Sequence, residues 1–149
     1  MSNPLATGSV RSQLSGIRGR AIVSARGHHL IVDSPLPLGG PNEEINPVDL
    51  LLSALGTCAT FVCETVAIEQ NIPLSTISAK VEGDFDPRGV CGDPVDPRIQ
   101  AFRVELKMRG PNDEQAQMLV KAFQTRCPIY TTLSRSAPIE IAISLDEIV

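Results

Sequence analysis

The sequence predicts an α+β domain in which helices pack on antiparallel sheet, in the order β-β-α-β-β-α-β. Residues 77–81 and 102–108 alternate apolar and polar side chains with the period of two expected of a strand covered on one face. Residues 50–63 form an uncharged, largely apolar run between helix start and stop signals. Pro-rich stretches at residues 34–45 and 84–98 provide irregular connections. The length of 149 residues is that of one domain. We place a flexible N-terminal arm at residues 1–16 and a single domain at residues 17–149.

Residues 17–33 read as a hairpin. Ile17, Gly19, Ala21, Val23 and Ala25 alternate with Arg18, Arg20, Ser24 and Arg26, and Gly27 sits at the turn. Residues 30–33 form the return strand. Asn46 then opens a helix as N-cap, with Pro47 at the first helical position and Asp49 three residues after the cap. The helix runs to about Gln70, where Asn71-Ile72-Pro73 stops it. Residues 50–63 carry no charge on any face, and a helix apolar all round is buried all round. A monomer with only one other long helix cannot enclose it, whereas a dimer that wraps it can.

Ile77, Ala79 and Val81 face one side of the next strand, and Ser78, Lys80 and Glu82 the other. Phe102, Val104, Leu106 and Met108 alternate with Arg103, Glu105 and Lys107 in its partner. A second helix starts at Asn112, with Gln115 completing a capping box and Ala116, Leu119, Val120 and Phe123 as its apolar stripe. It ends just before Cys127-Pro128. A last strand covers residues 139–145.

Composition excludes several function classes. The net charge of −4 lacks the basic excess of a nucleic-acid-binding surface. Aromatic residues make up 3%, with no Trp, so base-stacking platforms are missing. Residues 1–15 lack the apolar core of a signal peptide, and the run at residues 50–63 is too short to span a bilayer. The expectation is a cytoplasmic protein without nucleic-acid or membrane partners. In that compartment Cys58, Cys63, Cys91 and Cys127 are free, catalytic or metal-bound rather than a disulfide framework.

Two readings of Cys58 stand side by side: a small hydrophobe packed in a buried helix, or a reactive thiol. Cys63, five residues on, points about 140° away and reads as core. Cys127 follows a helix and has Arg126 beside it, whose guanidinium would favour thiolate. An inert loop position is the alternative. Cys91 lies in a polar loop and reads as incidental. His28 and His29 point to opposite faces of a strand, so no metal site is expected. No phosphate-binding loop is present, Gly39-Gly40 reads as a flexible turn, and no cofactor is implied.

Three segments together resemble the OsmC/Ohr family of osmotically inducible and organic hydroperoxide resistance proteins. They are Arg26-Gly27-His28-His29-Leu30-Ile31-Val32-Asp33, then Leu38-Gly39-Gly40-Pro41, then Asn46-Pro47-Val48-Asp49-Leu50-Leu51-Leu52-Ser53-Ala54-Leu55-Gly56-Thr57-Cys58. Cys127-Pro128-Ile129-Tyr130-Thr131-Thr132-Leu133-Ser134 resembles the same family's second-cysteine motif. The resemblance covers nearly the whole chain from about residue 17. It implies an OsmC-like fold, with antiparallel sheet wrapped around two central helices in an intertwined homodimer and active sites at the subunit interface. It also implies a thiol-dependent peroxidase. Cys58 would attack an organic hydroperoxide and become a sulfenic acid, Cys127 would resolve it to a disulfide, and a dithiol such as a dihydrolipoyl protein would reduce the disulfide.

The resemblance carries two further residues. Arg26 matches the arginine that stabilises the thiolate, with Arg18 and Arg20 as rivals. Asp49 matches an acidic position of the subgroup reading Pro-x-Glu-Leu-Leu-Leu, and capping is its competing role. Val48 stands where the family's peroxidases place a Glu. That substitution favours an alternative function, a redox-responsive or stress-associated dimer with little peroxidase turnover.

Overall fold

Strand alternation in the first third of the chain folds as a hairpin with one strand added. The computed structural model describes residues 4–135 and 139–146. Residues 1–3 of the expected arm and 136–138 and 147–149 of the expected domain lie outside them. The chain divides into two compact units, residues 1–50 and 51–149.

In the first unit β1 (Arg11–Leu14) pairs antiparallel with β2 (Arg20–Ala25), which pairs antiparallel with β3 (His28–Asp33). β1 lies inside the segment expected as a flexible arm. Its four residues are all exposed, so no burial pattern marks it, and backbone pairing to β2 defines it. The β2–β3 turn is Arg26-Gly27, with φ of 51° and 81°. Two consecutive positive φ values match a two-residue turn to the twist of the strands.

Gly40 is buried rather than a flexible link. A side chain there would collide with the Ser34 backbone, and one on Gly19 would collide with Gly40. The buried Asp33 carboxylate accepts Arg20 Nε and Nη2, both at 2.8 Å, and the Glu43 and Glu44 N–H groups, both at 3.0 Å. This network fixes the end of β3 to the segment leading into the long helix α1 (Pro47–Glu69). The Arg20 guanidinium holds the Asp33 carboxyl far below the usual carboxylate range, against the opposing effect of burial.

In the second unit the order of pairing is β4 (Thr76–Asp84), β5 (Ala101–Arg109), β6 (Ile139–Asp146). β4 and β5 are antiparallel, but β5 and β6 are parallel, so the sheet is mixed rather than antiparallel throughout. Two helices, α2 (Asp113–Arg126) and α3 (Pro128–Leu133), lie between β5 and β6 and supply the crossover that parallel pairing needs. α3 is an element that the sequence pattern did not predict.

One face of β5 is fully buried through Phe102, Val104, Leu106 and Met108, which join Leu55, Ala59 and Cys63 of α1 and Leu119 and Phe123 of α2 in one core. Gly56 allows close approach of α1 to β4, since a Cβ there would lie 3.2 Å from Val81 Cγ2. The other face of the sheet carries ion pairs such as Lys80–Glu82 and Arg103–Asp84.

The expectation that α1 is buried on every side does not hold within one chain. Phe61 is 65% and Ile68 75% exposed, because the core covers only one side of the helix. The helix also continues past the uncharged run to Glu69. By length and composition alone it is apolar enough to cross a membrane, with a mean hydropathy of 1.7.

Candidate active site

Two local breaks in helix continuity place the cysteines. α1 begins with a reciprocal cap: Asn46 Oδ1 accepts the Asp49 N–H at 2.9 Å, and Asp49 Oδ2 accepts the Asn46 N–H at 3.1 Å. From this fixed start the helix carries Cys58, half-buried, in its fourth turn. Pro128 forces the break between α2 and α3, because the residue before a proline is driven out of the helical region. Cys127 accordingly has φ −77° and ψ 119°. Its N–H closes α2 on the Phe123 carbonyl at 3.1 Å. Its sulfur caps α3 by accepting the Tyr130 N–H at 3.2 Å.

This geometry brings Cys58 and Cys127 together as a disulfide, with Cα atoms 6.3 Å apart. The pair adjoins the apolar core, and Cys127 is completely buried. The Tyr130 ring packs edge-on to Phe123 at 5.0 Å between centroids, and its hydroxyl accepts Gln124 Nε2 at 3.3 Å. A dithiol here can pass between reduced and disulfide states inside one chain.

The remaining cysteines stay free. Cys63 is fully buried, donates to the Leu119 carbonyl at 3.7 Å, and has its thiol pushed up to about 11 by burial. Cys91 is exposed in a 3-10 turn, Gly89–Cys91.

Asp49, Arg20 and Arg126 have local partners. Asp49 is engaged in the helix cap. Arg26 occupies the exposed tip of the β2–β3 turn. Arg20 is held by Asp33 and Glu43. Arg126, next to Cys127 in sequence, pairs instead with Glu69 Oε2 at 2.7 Å. His28 and His29 are both exposed, with His29 Nδ1 2.8 Å from Ser24 Oγ. Among the described residues no group of three or more His, Cys, Asp or Glu side chains is placed to hold a metal ion.

Tyr130 and Asp33 are the residues sequence reasoning missed. Cys127-Pro128 repeats the cap-then-proline pattern of Asn46-Pro47, and that was the available signal for α3 and its cap. Cysteine is not among the usual N-cap residues, so the signal was weak.

The chain is an α+β protein that holds Cys58 and Cys127 as a disulfide. The sequence matches the family model described as OsmC-like protein over residues 40–142, and the chain belongs to that family. Solved structures agree on the fold. An OsmC-like protein from Mycoplasma pneumoniae superposes with TM-score 0.78 at 15% identity, covering 97% of this chain and 99% of that one. An organic hydroperoxide resistance protein OsmC from Legionella pneumophila gives TM-score 0.73 at 21% identity, with 95% and 99% covered. An organic hydroperoxide resistance protein from Elizabethkingia anophelis gives 0.73 at 19% identity, with 97% and 100% covered. No curated protein matches the sequence significantly.

Proposed function

We propose that this chain is a cytoplasmic thiol-dependent peroxidase that reduces organic hydroperoxides. The pairing of Cys58 with Cys127, while Cys63 and Cys91 stay free, carries this reading. The Cys58 thiolate attacks the terminal peroxide oxygen, the O–O bond breaks, and an alcohol leaves with Cys58 as sulfenic acid. The Cys127 thiol condenses with the sulfenic acid and water leaves. A dithiol, such as a protein-bound dihydrolipoyl group, returns the disulfide to two thiols. Apolar surroundings suit a bulky organic peroxide. Arg26 is our candidate for stabilising the thiolate and Asp49 for orienting the site.

We also propose that the working form is a homodimer. The exposed Phe61 and Ile68 on α1 support this, since large exposed side chains on one helix stripe mark an association surface. A second reading keeps the pair and the dimer but assigns a redox-responsive role with little turnover. It is favoured by Val48 and by the engagement of Asp49 in the helix cap.

The test is consumption of cumene or tert-butyl hydroperoxide with a lipoyl reductant. Cys58→Ser should abolish turnover. Cys127→Ser should give one turnover and stall as sulfenic acid. Wild-type turnover by Cys58→Ser would refute the assignment, and a single stoichiometric oxidation of the wild type without turnover would favour the redox-responsive reading.

A further inference from the structure

The two sulfurs of the pair are not equivalent. Cys127 is completely shielded by its own chain, and association with any partner can only cover more of it. Cys58 is only half-buried within the single chain. The sulfurs also differ in what stabilises a negative charge on them. Cys127 Sγ accepts the Tyr130 N–H at 3.2 Å. That turn is held by Thr131, whose N–H and Oγ1 both reach the Cys127 carbonyl, at 3.0 and 2.8 Å. Cys58 lies mid-helix, where the neighbouring N–H groups are spent on carbonyls four residues back.

We propose that the oxidised pair is reduced from one side only: an external thiolate bonds to the Cys58 sulfur, and Cys127 departs as the thiolate. This rests on the disulfide cycle proposed above and adds the direction of its reductive half. The electron pair of the incoming thiolate forms the new S–S bond to Cys58. The Cys58–Cys127 bond breaks, and its pair goes to Cys127 Sγ, where the Tyr130 N–H meets the developing charge. The second thiol of the reductant, deprotonated, then attacks the reductant sulfur bound to Cys58. Cys58 leaves as a thiolate and the reductant becomes a disulfide. Two electrons pass from the dithiol to the protein, and its two protons go to solvent or to the new thiolates. Access and leaving-group stability both govern thiol exchange, and here they select the same direction. Attack on Cys127 would require uncovering a fully buried residue.

The test uses a Cys91→Ser chain, which removes the exposed thiol, oxidised with diamide so that no peroxidase activity is needed. Substoichiometric glutathione is added, the reaction is quenched with N-ethylmaleimide, and the peptides are mapped. The expected products are glutathione on Cys58 and maleimide on Cys127, at least tenfold over the reverse. Glutathione on Cys127, or equal amounts on both, overturns the proposal, as does failure of diamide to join Cys58 to Cys127. Absence of hydroperoxide consumption would instead sink the peroxidase reading and leave this mapping result standing.

A second measurement isolates the leaving group. Tyr130→Pro deletes the donating N–H and Tyr130→Ala keeps it, and equal melting temperatures of the two reduced variants show that the α3 turn survives the proline. Reduction of the Pro variant should be about threefold slower than that of the Ala variant, the response exchange rates show to a tenfold change in thiol acidity. Equal rates would remove the role given to the N–H.

Discussion

Oxidising the Cys58–Cys127 pair is expected to raise the melting temperature substantially. The two cysteines are 69 positions apart, and the loop between them contains β4, β5 and α2. Closing a loop of that length removes about 4 kcal/mol of chain entropy from the unfolded state at 25 °C. The Cα separation of 6.3 Å is one that disulfides ordinarily span, so the folded backbone need not move to accept the bond. For a chain of this size each kcal/mol shifts the midpoint by roughly 2–4 °C, which puts the expected rise at roughly 8–16 °C. The assay is calorimetry on diamide-oxidised and phosphine-reduced Cys91→Ser protein at one protomer concentration, since association also stabilises. Cys127→Ser is the control and should melt identically in both conditions. Equal midpoints for the oxidised and reduced chains would refute the reasoning, as would a redox dependence that survives in Cys127→Ser.

Cys63 should resist iodoacetamide in the native protein at pH 8 while Cys91 reacts, because burial pushes its thiol up to about 11; modification of both at the same rate would contradict this. Asp33→Asn should lower the melting temperature and flatten acid denaturation. The folded-state carboxyl is held below its unfolded value of roughly 3.9, so its stabilisation is complete above that pH and is lost as pH falls further; superimposable acid profiles for variant and wild type would count against it. Light scattering should give about twice the chain mass of 16.0 kDa, and Phe61→Glu should shift it toward the monomer; a monomeric wild type at low micromolar concentration would overturn the dimer.

Most of the elements were legible because local and long-range signals agreed in them. The cap at Asn46 and Asp49, the capping box at Asn112 and Gln115, and the alternation of β4 and β5 all form as the residues dictate. The Arg26-Gly27 turn follows from glycine at a position of positive φ. What escaped depends on partners distant in sequence. β1 has no buried residue, so only its pairing with β2 reveals it. The parallel direction of β6 is a consequence of the crossover through α2 and α3, which alternation in residues 139–145 cannot encode. Gly39-Gly40 looked like slack, yet Gly40 is required by the close approach of Ser34.

The site was legible to a similar degree. Cys58 and Cys127 were singled out by position and by family resemblance, and they lie in reach of each other. The electrostatics were not legible. Arg126 seemed poised beside Cys127 because it is adjacent in sequence, but its side chain turns to Glu69. The group that does reach the Cys127 sulfur is the Tyr130 backbone N–H, which no side-chain pattern announces.

The central claim is that Cys58 and Cys127 form one redox couple within a single chain. Non-reducing peptide mapping after one equivalent of cumene hydroperoxide tests it most directly. The account predicts a dominant Cys58–Cys127 peptide from one chain, with Cys63 and Cys91 recovered as free thiols. A dominant Cys58–Cys63, Cys91–Cys127 or intersubunit bridge, or four free thiols after the peroxide is consumed, would contradict it.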